Sequence, residues 1–542
     1  MSASLRDTVL DVRDLKVTIG RRTIVEDISF SVQKGQTVGL VGESGSGKSM
    51  TVLASTGLMD APASSATGSS VLTGERELIG ATPAQLRKVH GSRIGFVFQD
   101  PSTSLNPLLT IQRQITESLE AHGRGTPKET RRRALELLEA VGLPDPEDRL
   151  HSFPHQLSGG QRQRVMIAIA LACEPELLIA DEPTTALDVT TERQIIELVW
   201  DLQERLGSAV IWISHDLGVI GQVADDVTVL RHGNIVEQAP VQDIFARPRE
   251  AYTRELLDAR PLIGAATPST PPGESPVVLD VQDLDVKFQV RTPTGSRTIH
   301  AVDDVSFQVR KGHTLGIVGE SGSGKSTIAN ALTGLVEPEA GTATLTGTDL
   351  FQLSRGERRD VRRRLAMVFQ DPFSSLNPRT EIGTSIAEPL KVHALGGKDK
   401  GSRKGRVQEL LDLVHLPRDF ASRFPHELSG GQRQRVSVAR ALALEPDVII
   451  LDEATSALDV SVQAKVLDLL RELQGELGLT YLFIAHDLAV VQQMSHDVLV
   501  MQKGRAVEHR EAGALFADPR EDYTKMLLAA IPPAEPRAGA RV

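Results

Sequence analysis

Two tandem α/β domains, each built on a largely parallel core sheet, are predicted by three observations. The stretch Val-Gly-Glu-Ser-Gly-Ser-Gly-Lys-Ser occurs twice, at residues 41–49 and 318–326. Each copy opens the same ordered series of further motifs, one period of about 270 residues apart, which marks a domain duplication and not a solenoid. Each half also alternates short apolar runs with helical stretches, the pattern of a parallel sheet with covering helices.

Length and composition agree. At 542 residues the chain is too long for one ordinary domain, and each half can bury a full core. It is 40% hydrophobic and 24% charged, as a globular protein is. A net charge of −11 argues against a broad electrostatic footprint for nucleic acid. Aromatic residues at 4% argue against stacking platforms for single strands. Cys173 is the one cysteine, so an intramolecular disulfide, a cysteine zinc site and a four-cysteine iron–sulfur cluster within the chain are excluded by count. Its apolar neighbours predict a small buried residue. No run approaches 18 apolar residues, so no membrane span is expected. The start, MSASLRDTVLDVRDL, lacks a basic opening and an apolar core, so no signal peptide is read there. The expected location is cytoplasmic, with membrane contact only through partners.

The repeat aligns by hand. Gly42 pairs with Gly319 at an offset of 277, whereas Gln99–Gln370, Leu157–Leu428, Asp181–Asp452 and His215–His486 all pair at 271. The difference falls where the first half carries DAPASSATGSS, read as a loop insertion. The expected boundaries are a first domain at 1–260, a Pro-rich linker at 261–276, a second domain at 277–532 and a flexible tail at 533–542. Extended at about 3.1 Å per residue, the linker spans up to roughly 50 Å, enough for two domains to dock face to face. Thr37 to Val41, Leu177 to Ala180 and Val210 to Ile213 read as buried strands, with counterparts at Val448 to Leu451 and Tyr481 to Ile484.

Three motifs carry chemistry. In the first, Gly42, Gly45 and Gly47 let the backbone turn its N–H groups around phosphate oxygens, and the following helix adds its positive end. Lys48 can reach the β- and γ-phosphates and Ser49 can ligate Mg²⁺; Gly319, Gly322, Gly324, Lys325 and Ser326 repeat this. A Gly-rich turn can match by accident once. Two copies, each after an apolar strand and before a helix, do not fit accident. The second motif is an acidic pair ending a buried strand: Asp181-Glu182 and Asp452-Glu453. The first carboxylate suits a Mg²⁺ shell, and the second is placed to act on an attacking water as general base or orienting group. The third is LSGGQRQR, whose Ser-Gly-Gly-Gln opens a helical stretch in both halves and offers another anion-binding N-terminus.

At this point the chain resembles the ATP-binding cassette (ABC) family over nearly its whole length outside the linker and tail. With the signature come Gln99 and Gln370 of the Q-loop, Asp188 and Asp459 of the D-loop, and His215 and His486 of the switch loop. The resemblance implies two P-loop NTPase domains, each a RecA-like core with a helical subdomain, that hydrolyse ATP with Mg²⁺. It implies catalytic roles for Glu182, Glu453, His215 and His486. It implies metal ligands at Ser49, Gln99 and Asp181, and at Ser326, Gln370 and Asp452. Further nucleotide contacts are implied from Ser44, Ser46 and Met50, and from Ser321, Ser323 and Thr327. In this family one domain's signature completes the other's loop. One composite site would join Lys48, Ser49, Gln99, Glu182 and His215 to Ser429, Gly431 and Gln432. The other would join Lys325, Ser326, Gln370, Glu453 and His486 to Ser158, Gly160 and Gln161. The adenine ring usually stacks on an aromatic residue near the domain's start: Phe288 fills that place in the second half, and Ile19 stands there in the first.

FQDPSTSLNP and FQDPFSSLNP after the two glutamines, together with the end motifs PREAYTRELLDARP and PREDYTKMLLAAIP, narrow the resemblance to dipeptide, oligopeptide and nickel importer ATPases. That branch implies two transmembrane permease subunits and an extracytoplasmic substrate-binding protein as partners, no nucleic acid, and a peripheral place on the cytoplasmic face of the inner membrane. The alternative is a soluble tandem ABC ATPase acting on ribosomes or nucleic acid. The short Pro-rich linker and the acidic charge disfavour it. The basic runs Arg131 to Arg133 and Arg362 to Arg364 read as solvated helix faces, and Trp200 and Trp212 as core.

Overall fold

The computed structural model describes residues 7–59, 63–185, 187–264, 268, 275–292, 295–371, 375–395, 400–456 and 458–537. Most of the expected linker and residues 538–542 of the expected tail lie outside this set. The chain packs as two compact units, one of Met1–Leu187, Thr191–Arg260 and Pro532–Val542, the other of Asp188–Thr190 and Pro261–Ile531.

In the first unit the strands are β1 (Thr8–Ile19), β2 (Arg22–Gln33), β3 (Thr37–Val41), β4 (Ser64–Leu72), β5 (Arg76–Glu77), β6 (Ile94–Val97), β7 (Leu177–Asp181), β8 (Ala209–Ser214), β9 (Asp226–Arg231) and β10 (Asn234–Pro240). They form an antiparallel sheet ordered β2-β1-β4-β5 and a six-stranded sheet ordered β10-β9-β3-β8-β7-β6. The six-stranded sheet is parallel except for the β9–β10 hairpin. Its strands are buried on both faces, which is why they read as continuous apolar runs. Alternation sorts their side chains: Val38, Leu40, Ile211 and Ile213 pack toward the antiparallel sheet, and Val41, Val210 and Trp212 toward the helices.

Between β6 and β7 the chain leaves the sheet to build a helical subdomain from Ile111–Ala121, Pro127–Ala140 and Pro146–Leu150. Thr110 and Thr126 mark the starts of the two longer helices: Thr110 accepts from the Arg113 amide, and Thr126 sits in a capping box with Glu129. Ile111, Ile115, Leu119, Ala134, Leu137 and Leu138 form the buried faces.

The second unit repeats the plan with β11 (Val277–Thr292), β12 (Gly295–Arg310), β13 (Thr314–Val318), β14 (Ala340–Leu345), β15 (Thr348–Asp349), β16 (Leu365–Val368), β17 (Val448–Asp452), β18 (Thr480–Ile484), β19 (Asp497–Gln502) and β20 (Arg505–Glu511). The orders are β12-β11-β14-β15 and β16-β17-β18-β13-β19-β20.

Two expectations are corrected. Residues 64–70 of the DAPASSATGSS stretch are not a loop; they belong to β4, which pairs along β1 as far as Ile19. Small polar residues tolerate that position because only Ser70 among residues 64–70 is buried. The tail does not fray at once either. Arg537 donates its amide to Gly221 and lays its guanidinium 3.8 Å over the Trp200 ring. Gln222, Gln242 and Arg260 donate to backbone carbonyls between Pro533 and Arg537. Trp212 is core as expected, whereas Trp200 is half-buried beneath this segment. The basic runs are surface faces whose Arg132, Arg133 and Arg364 pair with Glu136, Glu174 and Asp447.

Candidate active site

The first loop leaves β3 at Gly42 and enters the helix Lys48–Ser55 at Gly47. At Gly42, with φ of +154°, an added Cβ would stand 2.2 Å from the Leu230 carbonyl oxygen, so only glycine fits. Gly47 caps the helix in the left-handed region, at φ of +102°. Lys48 is buried, and its ammonium donates to the carbonyls of Gly42 at 2.7 Å and Glu43 at 3.0 Å. Lys325 repeats this on Gly319 at 2.7 Å and Glu320 at 2.8 Å. Burial pushes the Lys325 ammonium down, and the Glu453 and Asp452 carboxylates oppose that. Ser44 and Gly45 are exposed at the loop crest, as are Ser321 and Gly322. Ser46 and Ser323 are buried, and the Ser46 hydroxyl has no hydrogen-bond partner among the described residues. Met50 and Thr327 are half-buried one step into their helices.

The acidic pair meets the loop from β7. Ser49 donates to Asp181 at 3.1 Å, and Ser326 to Asp452 at 3.0 Å. Burial raises both aspartates, and the adjoining glutamates add to the rise. A hydroxyl and a carboxylate side by side form the oxygen donor set that suits a hard divalent cation, and a raised carboxyl is what a cation would bring back down.

Glu182 is the hub of the site. Its Oε2 accepts from Gln99 Nε2 at 2.8 Å and Thr185 Oγ1 at 3.0 Å, and lies 3.3 Å from His215 Nδ1. Burial works against its charge, but His215, Lys48 and Thr185 outweigh it and hold the carboxyl down to about 2. In the second unit Gln370 donates to Glu453 at 2.6 Å, and His486 Nδ1 stands farther off at 3.8 Å. Ser456 donates to the Glu453 backbone carbonyl, so this carboxylate lacks the hydroxyl that Thr185 supplies. Burial opposes the Glu453 charge too, and His486 and Lys325 hold the carboxyl below its usual range.

Both glutamates have left-handed backbones, φ +47° and +46°, although neither is glycine. Their amides are tied to Ile213 at 3.0 Å and Ile484 at 2.9 Å. Such strain persists only where the surroundings over-determine it, and it clusters at working sites. Sequence reasoning missed both the strain and Thr185; a hydroxyl three residues after the glutamate is the one available signal.

Ser158 begins the helix Gly159–Ala170 in a capping box. Its hydroxyl accepts from the Gln161 amide, and the Gln161 side chain accepts from the Ser158 amide at 3.1 Å. Ser429 and Gln432 do the same for Gly430–Leu442. At Gly160 and Gly431 an added Cβ would meet Thr191 at 2.7 Å and Val462 at 2.2 Å, so the signature glycines allow close helix packing. Phe288 is exposed on β11, cross-strand from the exposed Ile299; Ile19 takes its place on β1, cross-strand from Arg22.

Within each unit the structure therefore gathers loop lysine, serine hydroxyl, aspartate, glutamate, glutamine and histidine around one cradle. A parallel sheet that sends its phosphate loop, acidic pair and histidine from neighbouring strand ends defines a P-loop ATPase cassette, present here twice. Residues 25–185 and 302–456 match the ABC transporter family, and residues 236–291 and 507–542 match the oligopeptide/dipeptide transporter C-terminal region. The chain is 47% identical over 529 residues to the peptidoglycan transport ATP-binding protein YejF of Agrobacterium fabrum, covering 96% of each. It is 45% identical over 544 residues to the glutathione import ATP-binding protein GsiA of Escherichia coli, covering 94% of this chain and 87% of that relative. The chain belongs to the ABC transporter family and is an ABC-type ATPase with two cassettes. Both relatives are transport ATP-binding proteins, so the ribosome or nucleic-acid alternative has no support. Among the described residues no helix is long and apolar enough to cross a membrane.

Proposed function

We propose that this chain is the energy-coupling ATPase of an importer for short peptides or peptide-like solutes. The observation that carries this reading is the complete set Lys48, Ser49, Asp181, Glu182, Gln99 and His215, repeated as Lys325, Ser326, Asp452, Glu453, Gln370 and His486, in a chain that also bears the oligopeptide/dipeptide C-terminal region. The cassettes are residues 1–260 and 277–532. Each Gly-rich loop binds ATP phosphates, and the other cassette's Ser-Gly-Gly-Gln turn completes the site: Ser429, Gly431 and Gln432 for the first loop, Ser158, Gly160 and Gln161 for the second. A γ-phosphate shared by two helix N-termini favours the closed pair, and its hydrolysis releases it.

On binding, ATP draws the Lys48 and Lys325 ammonium groups from backbone carbonyls to phosphate oxygens. Ser49 and Asp181, with Gln99, would hold Mg²⁺ in the first site, and Ser326, Asp452 and Gln370 in the second; the ion supplies charge neutralisation at the phosphates. Glu182, held as an anion, acts on the attacking water as general base or orienting group. His215 and Gln99 fix the rotamer of that anion. Phe288 stacks on adenine in the second site, and Ile19 gives a weaker seat in the first.

The partners are two transmembrane permease subunits and, through them, an extracytoplasmic binding protein. The chain works peripherally at the cytoplasmic face of the inner membrane. E182Q and E453Q together should keep ATP binding and slow turnover by roughly 10²–10⁴. Undiminished hydrolysis in the double variant removes the glutamates from their role. Purification from membranes tests the rest: two multi-span proteins and a peptide-binding protein should accompany the chain, and ribosomes in their place overturn the importer reading.

A further inference from the structure

The end motifs that distinguish this branch, AYTRELL and DYTKMLL, lie away from the phosphate loops in sequence, yet the fold brings each to its own loop. In the first unit the Tyr252 hydroxyl accepts the backbone N–H of Glu43 at 3.2 Å; in the second, the Tyr523 hydroxyl accepts that of Glu320 at the same 3.2 Å. Both tyrosines are buried. Their helices, Ala251–Asp258 and Asp522–Ala529, are seated by one buried carboxylate each. Glu237 accepts the amides of Arg249 at 2.9 Å and Glu250 at 3.2 Å, and Glu508 accepts those of Arg520 at 3.1 Å and Glu521 at 3.2 Å. In both, burial opposes the charge, while a threonine hydroxyl and these amides outweigh it and keep the carboxyl below its usual range. Both glutamates and both tyrosines fall within the oligopeptide/dipeptide C-terminal region.

The Gly42–Glu43 backbone is thus held on both sides. Lys48 grips its two carbonyls, and Tyr252 grips the amide between them. Phosphate competes for the lysine ammonium but not for the tyrosine hydroxyl. When ATP takes Lys48, the tyrosine hydroxyl still holds the Glu43 amide. We propose that Tyr252 and Tyr523 are positioning residues that clamp the phosphate loops, so that nucleotide affinity depends on how the C-terminal helices are seated. Anything that lifts either helix loosens the cradle beneath it. The clamp rests on reading the Gly-rich loops as ATP sites, and it adds a route by which the C-terminal region acts on them.

The test compares the full chain with Y252F/Y523F, with E237Q/E508Q and with K48A/K325A, measuring ATP binding, KM and kcat. The phenylalanine pair keeps both rings and removes one neutral hydrogen bond from each loop. Without it the ATP-bound loop loses its hold on the Glu43 or Glu320 amide, so KM for ATP should rise about three- to tenfold while kcat stays within about twofold. E237Q/E508Q, acting only through helix seating, should raise KM in the same direction. The lysine pair should abolish binding. An unchanged KM in Y252F/Y523F, or a fall in kcat alone, overturns the clamp while the cradle stands. Normal ATP binding by K48A/K325A overturns the cradle reading itself.

Discussion

The Glu182 carboxylate shows how much chemistry can depend on one residue's surroundings. Four groups on separate segments converge on it, and its backbone is held at a φ that non-glycine residues avoid. Its carboxyl titrates near 2 in the folded protein against an ordinary 4.5, so its contribution to stability is complete above about pH 4.5 and is lost as pH falls toward 2. The stability margin of wild type over E182Q, from urea unfolding, should shrink as pH falls from about 4.5 toward 2; a margin that stays constant through that range contradicts the assigned network. Residue identities were legible here because the motif is written contiguously: Lys48, Ser49, Asp181 and Glu182 all stand where the sequence puts them. The left-handed backbone was not, since nothing in Asp-Glu-Pro or Asp-Glu-Ala requires it. The Thr185 hydroxyl was illegible for another reason: Thr185 and Ser456 look equivalent in sequence, but one reaches the carboxylate and the other the backbone.

Among elements, the signature helices illustrate a glycine serving two ends. The first turn must offer amides, and its flank must admit a neighbouring helix. Gly431→Ala places a Cβ 2.2 Å from Val462 Cγ1, nearer than the corresponding 2.7 Å at Gly160. Gly431→Ala should therefore cost about 1–3 kcal/mol in denaturant unfolding, more than Gly160→Ala, and Val462→Ala in the same chain should recover most of it. Failure of that rescue would place the cost in the backbone and not in the packing. Strands and helices with strong apolar patterns were readable from sequence, β3, β7 and β8 above all, because burial on both faces leaves continuous apolar runs. β4 was not, because SSATGSS has loop composition and becomes a strand only by pairing with β1. Tertiary hydrogen bonding overrode local propensity there.

At the scale of the whole molecule, duplication has left different side chains at matching places in the two halves. Ile19 stands opposite Arg22 where Phe288 stands opposite Ile299, and Thr185 bonds the glutamate side chain where Ser456 bonds its backbone. Ile19→Phe, in a K325A background that leaves only the first loop, should tighten ATP binding several-fold, the scale of one aromatic contact; unchanged affinity would remove Ile19 from the adenine seat. The alignment of the halves made the repeated loops and the Ile19–Phe288 difference legible, but it could not foretell where the last residues go, since PPAEPRAGARV has the composition of a disordered end. The chain leaves the first unit at Arg260, builds the second, and rejoins the first at Pro532, where Arg537 covers Trp200. Removing residues 533–542 should lower the first unit's thermal midpoint and leave the second's in place. The order of synthesis follows a different course from the order of the genes' ancestry: the first cassette to be translated is the last to be finished. A nascent chain halted inside the second cassette carries a first cassette with its Trp200 face bare, and a lesion at the far end of the reading frame is felt at the near end of the fold.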